Sequence, residues 1–549
     1  MKVALVFPPQ GHFTQPYLSL PSLTAYLRMH GYDEVTQLDE NIAAYDWFLS
    51  RARIERSLAR IQAPAKLAEL EGKDGLVFSE MERYQTLSEI ALIGEDVARS
   101  IEEAKRVLRS KQDFYDYEKY LWAGRTVEQG LRIVSQEYAP TRLTAHGFVM
   151  RYRVERSKEI LAAIDDEREN PYLEFFREHT LPRLKALDPD LVGISVTFPS
   201  QAIPTLTLCK LIKQWKPSVH ITLGGGLMAY VADKLSKRPE LWSVIDSIVL
   251  LEGERPLLHL CEVVAKKREL AQVSNLIYRD AASGKVVKTT QIDPLDIKTL
   301  PTPDFDGLPL TKYFSPELVL PLAATRGCYW GKCVFCTLYT VIGPGYRGRT
   351  IEQTVDDMAK LQAKYGANSF YLAIEDLPPN MAKRFPEAIL ERGLKVSWWC
   401  DARLEHDVFD KETCQKLAAA GCKRIAYGYE SSSQRVLTAM CKGIDPVKSL
   451  ELIKNTHEAG ISVTLYAMVG FPTETREEAR ETLRTILANQ QYIQEVSVRV
   501  FYLDETSEIF RRREEFDIKE VFPDPEADLQ VYYDFTPGSG MTRPEARQT

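Results

Sequence analysis

The sequence predicts an α/β fold of two successive parallel-sheet units, a doubly wound sheet with a helical insertion and then a partial (β/α)6 barrel. Three observations predict it. Short β-branched runs alternate with amphipathic stretches near the N-terminus and again from Leu318, the pattern of strands joined by crossover helices. A stretch from about Ala43 to Leu187 is rich in Glu, Arg, Lys, Leu, Ala and Tyr and nearly free of β-branched runs, so it reads as helix. Pro301, Pro303 and Pro309 mark the seam between the units.

Each element follows in order. Lys2 to Pro8 is a buried strand stopped by two prolines. Tyr17 to His30 carries Leu18, Leu20, Leu23 and Leu27 at helical spacing, with Gly31 as its stop. A second strand spans Glu34 to Asp39, and the insertion has breaks near Pro64, Gly72, Pro140 and Pro171. Strand character returns in LVGISVTF after Asp190, in Val219 to Gly226 and in Ile245 to Glu254. Helices over Ala202 to Trp215 and Pro256 to Lys267 separate or follow them, and Val273 to Pro301 reads as a hairpin and linker. The barrel strands are Leu318 to Thr325, Ser369 to Asp376, Lys395 to Ala402, Lys423 to Glu430, Ser462 to Gly470 and Glu495 to Leu503. Six units are too few to close a full barrel. The expected division is therefore 1–290 with its insertion at 43–187, a linker at 291–317, the barrel at 318–504 and an extension at 505–549. The tail from about Phe516 shows no clear periodicity.

Composition narrows the function. Of 549 residues, 44% are hydrophobic and 27% charged, an ordinary globular balance. The net charge of -7 gives no general pull toward nucleic acid or anionic membrane. No run approaches the roughly 18 apolar residues of a membrane span, and the proline-stopped N-terminus is unlike a signal peptide. A cytoplasmic address is expected.

Six of the nine cysteines are scattered, in the manner of small buried hydrophobes; Cys441 is one of these. The other three are not. TRGCYWGKCVFC places Cys328, Cys333 and Cys336 in a C-x4-C-x2-C run just after the first barrel strand. Three thiols on a loop suit a soft metal or an iron–sulfur cluster. A structural zinc site needs a fourth ligand, and the next cysteine and histidine are as distant as Cys400 and His406. A zinc knuckle with a remote fourth ligand is the alternative.

This run at the end of a barrel's first strand resembles the radical S-adenosylmethionine (SAM) enzymes. The family spacing is C-x3-C-x2-C, so this loop is one residue longer. The resemblance implies that the three cysteines hold a four-iron, four-sulfur (4Fe–4S) cluster whose open iron chelates SAM and cleaves it to a 5′-deoxyadenosyl radical. It also implies SAM contacts at successive strand ends: Phe335 near the adenine, Glu375 or Asp376 near the methionine amine, Arg403 bidentate to the carboxylate, Glu430 and Ser432 at ribose hydroxyls or amine, and backbone around Val469 at the adenine. A small electron donor such as flavodoxin or ferredoxin is implied as partner.

The first unit resembles the cobalamin-binding, Rossmann-like domain of one class of these enzymes. Ser195-Val-Thr197, Gly224-Gly225-Gly226 and Glu252-Gly253-Glu254 fall at three successive strand ends, where such sheets bind ligands. Glycines there let a large planar ligand approach the backbone, and hydroxyls can bond its nucleotide tail. The D-x-H-x-x-G motif that supplies a histidine to cobalt is absent. The resemblance implies a cobalamin-dependent methyltransferase, in which one SAM methylates cobalamin and a second yields the radical that activates a small-molecule or peptide substrate. Two other readings stay open: a radical SAM enzyme performing a cyclisation or rearrangement, and an iron–sulfur or zinc protein that is not an enzyme. The tyrosine-rich insertion reads as packing or as a lid.

Overall fold

A computed structural model describes residues 1–145, 147–280, 282–292 and 294–549. The first sheet consists of β1 (Val3–Phe7), β2 (Val35–Asp39), β3 (Leu191–Ser195), β4 (His220–Gly224), β5 (Ser247–Val249), β6 (Leu276–Arg279) and β7 (Val286–Lys288). Their spatial order is 2-1-3-4-5-6-7. The first five strands are parallel and the last two turn back antiparallel. Every residue of VALVF in β1 and of LVGIS in β3 is buried, as helices on both faces require. The strand order reverses between β1 and β3, which opens a crevice at their C-terminal ends.

The insertion begins at Glu40 and is dominated by helices Phe78–Arg109 and Tyr117–Glu137. Arg53 ties it together: its buried guanidinium pairs with Glu137 at 2.8 Å and Glu174 at 3.1 Å. A buried cation persists only when its charge is paired in this way.

The second sheet is wholly parallel: β8 (Val319–Leu322), β9 (Ser369–Leu372), β10 (Ser397–Ala402), β11 (Cys422–Glu430), β12 (Ser462–Val469) and β13 (Glu495–Val500), in sequence order. Among the described residues β8 and β13 do not pair, so the barrel is open. In β10, Trp398, Cys400 and Ala402 are buried while Ser397, Trp399 and Asp401 are half-buried, the period of two that separates the helix-covered face from the lumen.

Several expected strands are shorter than their apolar runs, three of them near the site. β9 ends at Leu372, so Glu375 and Asp376 stand on the loop beyond it; β5 keeps three residues; and β8 ends at Leu322. The tail differs more. Leu503–Asp504, Tyr532–Pro537 and Ile518–Phe522 form a small antiparallel sheet, followed by helix Arg543–Gln548. Its strands are largely exposed, so they carry little apolar alternation for a sequence reading to find. Arg156 to Asp524 at 2.8 Å and Lys234 to Glu505 at 2.8 Å fasten this tail to the first unit.

Candidate functional site

The cysteine loop is closed at its base. Thr325–Arg326 pairs antiparallel with Arg347–Gly348, so residues 327 to 346 leave and return at one point. Gly327 has φ +83°, and a Cβ there would collide with the Gly345 carbonyl. Cys328, Cys333 and Cys336 are half-buried and free of disulfides. The Cys336 amide donates to the Cys333 carbonyl at 3.1 Å, and the Val334 amide donates to the Met440 carbonyl at 3.1 Å. Trp330 leaves the loop: its indole N–H donates to the Cys441 carbonyl at 2.8 Å, and its ring covers the Arg403 guanidinium at 4.2 Å. Gly443, at φ +73°, makes the space, because a Cβ would run into that ring.

Burial pushes the Cys333 thiol up to about 11, opposed by Lys442 and Arg403. Burial also raises Cys336 and Cys328. These two cations supply the positive field that thiolate ligands need. Among the described residues no group of three or more His, Cys, Asp and Glu is arranged to hold one metal ion. Three soft thiols spread over a loop, with cations behind them, fit a polynuclear cluster better than a mononuclear zinc site.

The strand ends around this loop are crowded with charge. Glu375 accepts the Gly327 amide at 3.1 Å, and burial raises its carboxyl. Asp376 is buried, accepts the Arg403 amide at 2.8 Å and lies 3.6 Å from the Cys328 Sγ. Arg403 gives Nε to Glu405 at 2.9 Å and Nη2 to the Lys442 carbonyl at 2.7 Å. Only its buried Nη1 lacks a partner, so a bidentate grip on a carboxylate is not preformed. Glu430, at φ +62° on the bulged end of β11, pairs with Lys442 at 2.9 Å. Its carboxylate is thus committed to a lysine. Ser432 exchanges a hydrogen bond with Tyr429 at 2.9 Å, and its amide donates to Thr482 at 2.9 Å. Val469 packs with Met541 and Ala546 of the tail, and its carbonyl accepts the Phe501 amide. Phe335 packs against the barrel core.

Ser195, Gly224, Gly225, Gly226, Glu252 and Gly253 come together on one cavity of about 630 Å3, which Arg326 and Glu375 of the barrel also line. Gly225 has φ +97°, and a Cβ would lie 2.6 Å from the Val196 carbonyl oxygen, so only glycine fits. Glu252 is less free than a rim residue: its Oε1 accepts Arg326 and Arg347, each at 2.7 Å, and Glu254 accepts Arg326 at 2.5 Å. This buried clamp joins the first sheet to the base of the cysteine loop. Thr197 faces a second, apolar cavity of about 150 Å3, behind the same strand ends, with Leu206, Leu227 and Val231. Sequence reasoning missed Trp330, Lys442, Arg326 and Arg347. Only the C-x4-C spacing, which requires the longer loop to place a residue elsewhere, signalled the first.

Residues 322–486 match the family model described as the radical SAM superfamily. The chain carries a radical SAM domain. An uncharacterized methyltransferase of Pyrococcus horikoshii is 28% identical, over 55% of this chain and 64% of its own length. The anaerobic magnesium-protoporphyrin IX monomethyl ester cyclase of Rubrivivax gelatinosus is 28% identical, over 55% of each chain. Cytidylyl-2-hydroxyethylphosphonate methyltransferase of Streptomyces wedmorensis is 26% identical, over 57% of this chain and 63% of its own. The chain therefore spans less than two thirds of these relatives' length. The fold is shared with cobalamin-dependent SAM radical enzyme OxsB, solved with aqua-cobalamin and SAM (TM-score 0.54, 19% identity, 71% of this chain and 62% of that one). It is shared as well with the radical SAM methyltransferase TsrM of Kitasatospora setae, solved with cobalamin and a 4Fe–4S cluster (0.52, 18%, 68% and 80%). The two mainly parallel sheets follow the α/β fold class expected from the sequence.

Proposed function

We propose that the protein is a cobalamin-dependent radical SAM methyltransferase acting on an unactivated centre of a small-molecule or peptide substrate. One observation carries this reading: the 630 Å3 cavity gives the glycine-cleared strand ends and the base of the cysteine loop a common space. The methyltransferase relatives support it. When bound, the cluster and cobalamin supply one-electron cleavage of SAM and methyl delivery. Cys328, Cys333 and Cys336 would ligate the cluster, with Lys442 and Arg403 offsetting their charge. Ser195 and Gly224 to Gly226 leave room for the flat corrin, and the smaller apolar cavity behind them could take only the aromatic base of its tail. The chiefly apolar walls exclude water that would quench a radical.

A flavodoxin- or ferredoxin-class reductant is the proposed electron donor and the cell interior the proposed address; no helix among the described residues is long and apolar enough to cross a membrane. The test is anaerobic. Reconstituted protein is incubated with hydroxocobalamin and desalted, then given SAM, reductant and a substrate panel. Retained cobalamin, with 5′-deoxyadenosine and S-adenosylhomocysteine formed together, is expected. A full cluster that retains no cobalamin overturns the reading. Deoxyadenosine without homocysteine would favour a cyclising enzyme, the reading to which the Rubrivivax relative lends weight.

A further inference from the structure

The lumen of the barrel carries a carboxylate that none of the contacts above employs. Asp401 lies on the inner face of β10 and lines the large cavity together with Tyr371 of β9. Tyr371 stacks on Trp399, ring centroids 5.8 Å apart and planes 25° from parallel. Tyr466 of β12 donates its hydroxyl to Asp401 Oδ1 at a long 3.4 Å. Tyr17 reaches the same cavity from the first unit, its ring stacked 4.7 Å from Phe7.

Asp401 forms no ion pair among the described residues. Arg424, the cation whose field reaches it, is paired with Glu495 at 3.4 Å. Burial raises Asp401 to about 6, against the Tyr466 hydrogen bond and Arg424. It is therefore still mainly ionised at neutral pH. A half-buried carboxylate beside an aromatic face, without a counter-charge, is an arrangement that a ligand cation completes.

We infer that Asp401 and Tyr371, the latter held by its stacking on Trp399, form the subsite for a protonated amine of the substrate. The assignment rests on the methyltransferase reading, which requires a substrate beside the cavity that Asp401 and Tyr371 line. An ammonium gains from the ring quadrupole and from the carboxylate, whose field is less screened at a half-buried site than in bulk water. A hydroxyl of the same shape gains little of either. The substrate class is accordingly one with a basic nitrogen on an apolar body.

The test compares benzylammonium with benzyl alcohol, near-isosteric probes that differ in charge. Each is titrated against the full-length, cluster-reconstituted, cobalamin-treated protein, with equilibrium binding followed by calorimetry. Benzylammonium is expected to bind about tenfold more tightly than the alcohol. Asp401→Asn is expected to abolish that preference while iron content and retained cobalamin stay at wild-type levels. Tyr371→Leu, which keeps the carboxylate, is expected to reduce the preference by about threefold. Equal binding of the two probes by the wild type overturns the inference, as does a preference that survives in both variants. Loss of cobalamin from Asp401→Asn with iron retained would assign the carboxylate to the corrin amides and overturn it too. Wild-type protein that retains no cobalamin but still prefers the amine would sink the methyltransferase reading and leave this subsite standing.

Discussion

The two sheets end in strand-end sites of opposite construction. At the first, Ser195 and Gly224 to Gly226 offer almost no side chain, and the cavity exists because atoms are missing. At the second, Asp376, Arg403, Glu405, Glu430 and Lys442 fill the strand ends with compensated charge. A site of the first kind selects by shape and is intolerant of a single added carbon. A site of the second kind selects by field, and tolerates change as long as every buried charge keeps a partner.

Substitutions separate the two. The largest effect is expected from replacing any of Cys328, Cys333 or Cys336 with serine: iron loading after anaerobic reconstitution falls to background, while cobalamin retention persists. Retained iron in all three variants would break the contrast at its base. Next comes Gly225→Ala, where the forced φ alone costs about 1–3 kcal/mol and the new Cβ meets Val196. Cobalamin retention is expected to fall more than tenfold with iron unchanged, measured on the same desalted sample.

Arg326→Leu tests the clamp between the sites. It leaves Glu254 buried without its partner, a loss of about 3 kcal/mol read from the denaturant midpoint. The smallest effect concerns a charge away from both sites. Burial raises Glu40 to about 7, against Arg183 and Thr180, so the folded state holds its proton at pH values where the unfolded chain has released it. Stability should therefore fall as pH rises from the ordinary carboxyl range to about 7. Glu40→Gln should flatten that slope in thermal melts, and an unchanged slope would assign it elsewhere.

How much of this could be read in the sequence depended on how local each signal is. Strands such as Leu191–Ser195 announce themselves because burial on both faces demands a continuous apolar run. The cysteine cluster and the glycine run are likewise contiguous. The Arg326–Glu252–Arg347 clamp is not: its members are ordinary charged residues whose meaning arises only when strand ends from two units face each other. Arg403 and Glu430 stood at the right strand ends, yet their partners Glu405 and Lys442 sit on loops with no period to place them. The small tail sheet went unread because its exposed strands lack alternation.

The Trp330 indole has one more consequence. A cysteine loop lengthened by a residue keeps its shape here because that indole is parked in a notch that Gly443 alone leaves open. The two positions are thus sterically coupled: a side chain at Gly443 would evict the indole, and with it the anchor that ties the cysteine loop to the Cys441 carbonyl.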